Sequence, residues 1–355
     1  MTSTQTQSQP AAARRERPQW AKDLQPYANP RLGRSLLDIA TAVVPYLLLS
    51  VAMYLLVDVS YWLVLALAIP ASGFLLRTFI LFHDCTHGSF LPSRRANRWF
   101  GVFCGLLVLQ PFENWRHDHW VHHGSAGDLD RRGQGDVPTL TLAEYRAKSW
   151  RGRLGYYLFR NPLVMFGIGP IYSLVVMPRF WGSGATQAQR RSVIFTNLAA
   201  GIVIGAICLL VGWQEFLLVQ APTILGAGSA GVWLFYVQHQ FEDVYWENTD
   251  SWSYADAALR GSSYLKLPKV LQFFTGNIGL HHVHHLNARI PNYNLQRAHD
   301  ENPIFHDVPI LGFWDGIRST RLKVIDESSG RLLTWREARA VQTAAPAAGV
   351  AAESA

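Results

Sequence analysis

Four long apolar runs constrain this chain more than any other feature. The segments 36–57 (LLDIATAVVPYLLLSVAMYLLV), 61–82 (YWLVLALAIPASGFLLRTFILF), 194–213 (IFTNLAAGIVIGAICLLVGW) and 216–237 (FLLVQAPTILGAGSAGVWLFYV) are each long enough, as helices, to cross a hydrocarbon core of roughly 30 Å. The linkers DVS (58–60) and QE (214–215) are too short for anything but a tight turn, so each pair reads as a helical hairpin that returns the chain to its starting side. With 49% hydrophobic residues and only 16% charged ones, the chain is an all-α integral membrane protein of four transmembrane helices in two hairpins.

The first run begins after about thirty-five mostly polar residues, too far in for a cleaved secretory signal, so it is expected to stay as an anchor. Arg14, Arg15, Arg17, Lys22, Arg31 and Arg34 precede it, and the positive-inside tendency places both termini in the cytoplasm. Residues 1–30 form a basic tail expected to be disordered, 31–335 the membrane domain, and 336–355 a second disordered tail. Two further apolar stretches, 99–112 and 162–181, are too short or too rich in Pro and Gly to span, and are expected to lie along the interface. A net charge of +7 without an aromatic-plus-basic motif gives no support for nucleic-acid binding. Three cysteines without a CxxC pair give no disulfide framework.

The chemistry lies in the thirteen histidines. "HDCTH" holds His83 and His87; "HWVHH" holds His119, His122 and His123; "HHVHH" holds His281, His284 and His285. Spacings of three and four place each set on one helical face, able to aim its imidazoles at a single point. His282 is turned about 100° from its set, and His117 is likewise off-face. His83 follows the second apolar run and "QHQFED", with His239, follows the fourth, so both hairpins deliver histidines to one water-facing plane. If either 99–112 or 162–181 crossed the membrane, the sets would be separated. The eight in-phase histidines with His239 are too many for one ion, so two metals are expected, with iron, copper or zinc all compatible with nitrogen ligands. Asp84 and Glu242 are expected to orient ligating imidazoles. Asn277 either faces the site or is a turn residue after Gly276. Cys85 reads as a packing residue, and His117 and His282 as polar cap residues; His299 and His306 receive no role.

These residues resemble the membrane fatty acid desaturase family, whose pattern is HxxxH, HxxHH and HxxHH with an additional histidine before the third box. The stretches "HDCTHGSF", "GDLDRRGQGDVPTLT", "RNPLVMFGIGP", "QHQFEDVYW", "GSSYLKLPKVLQFFTGNIGLHHVHHL" and "RIPNYNL" extend the resemblance to its omega-6 (Δ12) bacterial branch, over roughly 35–335. The resemblance implies a cytoplasmic helical cap holding a non-haem di-iron centre. It implies O2 as co-substrate and removal of two hydrogens from a long acyl chain to leave a cis double bond. Nothing in the sequence reads as a haem or flavin module, so electrons are expected from a separate ferredoxin or cytochrome. The acyl carrier, whether lipid, coenzyme A or carrier protein, is left open. Three rivals differ in class. An HExxH-type protease would leave most histidines unexplained. A metal transporter would place its ligands at mid-membrane. A hydroxylase or ketolase of the same superfamily would share the metal site.

Overall fold

The apolar runs fold as helices longer than their hydrophobic limits. The computed structural model describes residues 18–133 and 136–343. A short helix α1 (Gln19–Asp23) and a 3-10 turn (Gln25–Ala28) lead into α2 (Leu32–Leu56), which turns at 57–60 into α3 (Tyr61–His87). At 27 residues α3 is about 40 Å long, more than a bilayer core requires, so its last turns rise beyond the apolar zone. It stops at Gly88, whose φ of 67° allows the left-handed cap in which the Gly88 and Ser89 amides donate to the Cys85 and Asp84 carbonyls.

Next come α4 (Arg94–Leu107), α5 (Phe112–Ser125), α6 (Leu142–Ala147) and α7 (Trp150–Phe159). Gly101 lets α4 approach α5 closely, since a Cβ there would meet the Phe112 ring. The second hairpin is α8 (Gln187–Val211) and α9 (Trp213–His239). Its turn is Gly212 alone, at φ 95°, rather than the QE pair expected from the sequence. The four long helices α2, α3, α8 and α9 all have the length and hydropathy of membrane spans. Apolar side chains stand out from them, with Leu209 90% and Ile69 76% exposed, a surface that lipid rather than water would cover.

The stretch 162–181 forms π-helical turns (Val164–Ile168 and Ile171–Val176), bent 60° from α7. The remainder builds a cap from α10 (Tyr254–Arg260), β1 (Tyr264–Lys266), α11 (Lys269–Phe274), α12 (His281–Leu286), α13 (Asn292–Glu301), β2 (Ile310–Gly312), α14 (Phe313–Ser319), β3 (Leu322–Asp326), β4 (Arg331–Thr334) and α15 (Trp335–Thr343). β1 pairs parallel to β2 and β3 antiparallel to β4, two small ribbons in a helical molecule. One apolar core runs from α3 into the cap through Leu81, Phe82, Leu280, Val283, Leu286 and Leu295.

Part of each segment expected to be a tail is folded. Residues 1–17 and 344–355 lie outside the described residues. Residues 18–30 are ordered: Leu24 is fully buried, and the Tyr27 hydroxyl donates to Glu301 at 2.6 Å. Residues 336–343 continue α15, whose Trp335 packs on Tyr145 and Tyr157. In both places aromatic and leucine side chains find an apolar partner far away in sequence, which local composition does not reveal.

Candidate metal centre

The overlong helices carry the first ligand candidates. His83 and His87 occupy the last two turns of α3, and His239 ends α9. α5 supplies His119, His122 and His123, and α12 supplies His281, His284 and His285. All nine come together, but in two groups: His83, His87, His119, His123 and His284 in the first, and His122, His239, His281 and His285 in the second. Within each group one nitrogen per ring lies within 4.8 Å of all the others.

The single aiming point expected of each box is therefore corrected. In each box the pair at i and i+4 serves one group, and in each HxxHH box the i+3 residue serves the other. The reason is helical phase. On α5, His123 lies about 40° from His119 in one direction and His122 about 60° in the other, so His122 and His123 straddle the gap between groups.

The donor set fits metal ions. Nε2 of His239 lies 3.1 Å from that of His122 and 2.9 Å from that of His281. Nε2 of His123 lies 3.1 Å from that of His119 and 3.0 Å from that of His284. Such spacings suit neighbouring ligands that each reach a common ion at about 2.1 Å. The Nε2 atoms of His83, His87 and His285 are buried without hydrogen-bond partners, an arrangement that a cation would satisfy. Burial first, and neighbouring imidazoles second, hold His119, His123, His281, His284 and His285 well below the ordinary histidine range. Their rings are thus neutral at pH 7, with lone pairs free for coordination.

Three groups orient the rings from behind. Asp84 Oδ1 lies 3.1 Å from His83 Nδ1, while its Oδ2 accepts from the Asn292 backbone at 2.7 Å and side chain at 3.0 Å. Asp136 Oδ1 lies 2.5 Å from His122 Nδ1. The Gly261 carbonyl lies 3.1 Å from His239 Nδ1. Asp136 and Gly261 were not foreseen, because irregular chain brings them in and no periodicity links them to the boxes.

Other expectations are corrected. Glu242, expected to brace the site, is exposed and paired with Arg331, which also binds Asp243 at 3.0 Å. A residue three beyond His239 points away because α9 has ended. Asn277 takes the turn alternative, with φ 58° and its side chain donating to the Asn292 carbonyl at 3.1 Å. His282 is not a polar cap residue but fully buried, 3.0 Å from His299. His117 is exposed, and Cys85 is a buried packing residue against Gly101.

The close approach of His122 to His239 also fixes crossing parity. An even number of membrane crossings must separate α5 from the end of α9, and α8 with α9 already supplies two. That parity is kept if the bent segment after α7 enters and leaves on one side.

Long lipid-facing helices that lift a twin set of neutral imidazoles into a shared cap define a membrane-anchored metalloenzyme. A family profile described as fatty acid desaturase matches residues 60–310. The chain is 44% identical over 328 residues to a fatty acid desaturase of Bacillus subtilis (strain 168), covering 92% of this chain and 93% of that one. It is 27% identical over 279 residues to an sn-1 oleoyl-lipid 12-desaturase of Picosynechococcus, covering 75% of each. It is 27% identical over 237 residues to an sn-1 acyl-lipid omega-3 desaturase (ferredoxin) of Synechocystis, covering 62% of each. The chain belongs to the fatty acid desaturase family. Its activity is accordingly the desaturation of a fatty acyl chain.

Proposed function

We propose that the two histidine groups each hold one iron, and that with O2 and two electrons from a separate ferredoxin or cytochrome the protein places a cis double bond at the Δ12 position of a long, lipid-linked acyl chain. The observation that carries the di-iron reading is the division of nine buried imidazoles into groups of five and four. Neither group contains a cysteine, the usual mark of a structural zinc site. The Δ12 position and lipid linkage are supported by the names of the cyanobacterial 12-desaturases, and the ferredoxin by that of the omega-3 relative.

An unactivated alkyl C–H bond has no acidic proton for a side chain to remove, and two iron ions would activate O2, the oxidant that such a bond demands. The residues of this chain do the rest. The neutral imidazoles offer the lone pairs, and Asp84, Asp136 and the Gly261 carbonyl hold three of the rings in register. Trp115 stacks on His119 at 4.4 Å and meets Phe79 and Phe82, while Phe235 faces His122 at 5.1 Å. This aromatic rim keeps water from the site and presents apolar surface to an acyl chain.

The cap faces the bacterial cytoplasm in this reading. Arg94, Arg95, Arg98, Arg116, Arg131, Arg132, Arg151 and Arg153 lie on its side, whereas the connections at 57–60 and 212 carry neither Lys nor Arg.

The test is expression in a host that lacks polyunsaturated lipids, with the double bond located by mass spectrometry. The purified protein is expected to hold about two irons, in line with three to four ligands per ion. His123→Ala is expected to insert normally and give no product. One tightly bound zinc, a hydroxylated product, or full activity in His123→Ala would overturn the reading.

A further inference from the structure

The motif "GQGDVPT" precedes α6 and has no part in the histidine boxes. Its Asp136 nevertheless reaches the second group, with Oδ1 2.5 Å from His122 Nδ1 and a side chain only 10% exposed. The contact mirrors Asp84 on His83, so each histidine group has one carboxylate behind one ring. Asp136 and Gly261, the acceptors behind His122 and His239, border the same small cavity of ≈ 10 Å³.

The chain just after Asp136 is held by an unusual brace. Arg160 is fully buried, yet among the described residues its guanidinium donates only to uncharged acceptors: the Pro138 carbonyl at 3.2 Å, Thr139 Oγ1 at 3.1 Å, Tyr236 Oη at 3.1 Å, Gln240 Oε1 at 2.9 Å and the Leu322 carbonyl at 3.1 Å. Two of these acceptors lie two and three residues after Asp136, and Gln240 directly follows His239. A buried cation without a carboxylate is costly, and a rigid fork that bonds three separate segments gives it a structural use. The same guanidinium locates the segment after Asp136 and the end of α9 bearing His239.

We propose that Asp136 is the positioning residue that sets ion affinity in the second histidine group, as Asp84 does in the first, and that Arg160 holds it there. A carboxylate on the far nitrogen fixes the ring and raises its basicity, and losing such a partner weakens metal affinity about 10- to 100-fold. The proposal rests on the di-iron reading.

The experiment uses the full-length protein in detergent, loaded with Fe²⁺ and titrated with an Fe²⁺ chelator while protein-bound iron is counted. Wild type is expected to hold two ions. Asp136→Asn is expected to keep one ion with wild-type retention and to release the other about 10- to 100-fold more readily. Asp84→Asn is expected to weaken one ion as well, and the double variant both. If Asp136→Asn does not fold, Asp136→Glu decides, because it keeps the charge one methylene further out and is expected to weaken one ion less severely. A release curve equal to wild type, equal weakening of both ions in a folded single variant, or a double variant that still holds one ion firmly would overturn this proposal alone. Fewer than two ions in wild type would overturn the di-iron reading and this proposal with it.

Discussion

His281 and His282 are adjacent in sequence and end in different environments. His281 lies in the second metal group, while His282, about 100° further round α12, is buried against Phe305 and Tyr264 and bonds to His299 at 3.0 Å. Burial pushes its pKa down to about 3, so the ring is neutral and spends its polar edge on His299. His282→Ala is expected to leave metal content unchanged while costing about 2–4 kcal/mol of stability, through the cavity and the unpaired His299. Iron counting and thermal unfolding in detergent check this, and loss of one ion would place His282 among the ligands. The difference between His281 and His282 was legible from helical phase, but the burial of His282 was not, since His299 and Phe305 arrive from α13 and the turn after it. The carboxylates show the same limit. Asp84 is legible beside His83 because they share a helix, whereas Asp136, fourteen residues after His122, meets it only in the folded chain.

Helical elements made the ligand set legible, and their packing decided its division. The i, i+4 pairs and the i+3 residues separate by phase alone, yet the two groups they join depend on α3, α5, α9 and α12 being set against one another. Short strands were invisible to periodicity, since β1 and β2 have three residues each and rely on a partner some forty-five residues away. β3 carries Lys323, whose Nζ donates to the Arg160 carbonyl at 2.6 Å. Burial first, and then Arg160, lower its pKa from 10.5 to about 8. Between those values the unfolded chain keeps a proton that the folded one has released, so stability rises with pH across the window. Lys323→Met lacks this term. The difference in Tm, wild type minus variant, is expected to climb from pH 7.5 to 9.5, and parallel curves would show that Lys323 ionises as it does in the unfolded chain.

At the scale of the whole molecule, the metal centre and the membrane topology constrain each other. From the meeting of His122 and His239 we propose that the bent segment after α7 is not a fifth crossing and that the exposed loop at 182–185 lies on the side of the cap. Asp58→Cys and Ser183→Cys are expected to react with a membrane-impermeant maleimide from opposite sides, Asp58→Cys from outside the cell and Ser183→Cys only after lysis. Labelling of both from one side would break the parity. A buried ion pair ties the anchor together, with Arg77 of α3 bonded to Asp38 of α2 at 3.0 Å and also to the Phe273 carbonyl. The sequence by itself determined the four long apolar helices, the hairpin pairing and the nine candidate histidines, because hydrophobic length and helical phase are local properties that survive any packing. Only the tertiary structure decided which imidazoles fall in one group and which carboxylate stands behind His122. It also decided which parts of the expected tails are ordered. Each of these depends on contacts between segments far apart in the chain, which no local pattern encodes.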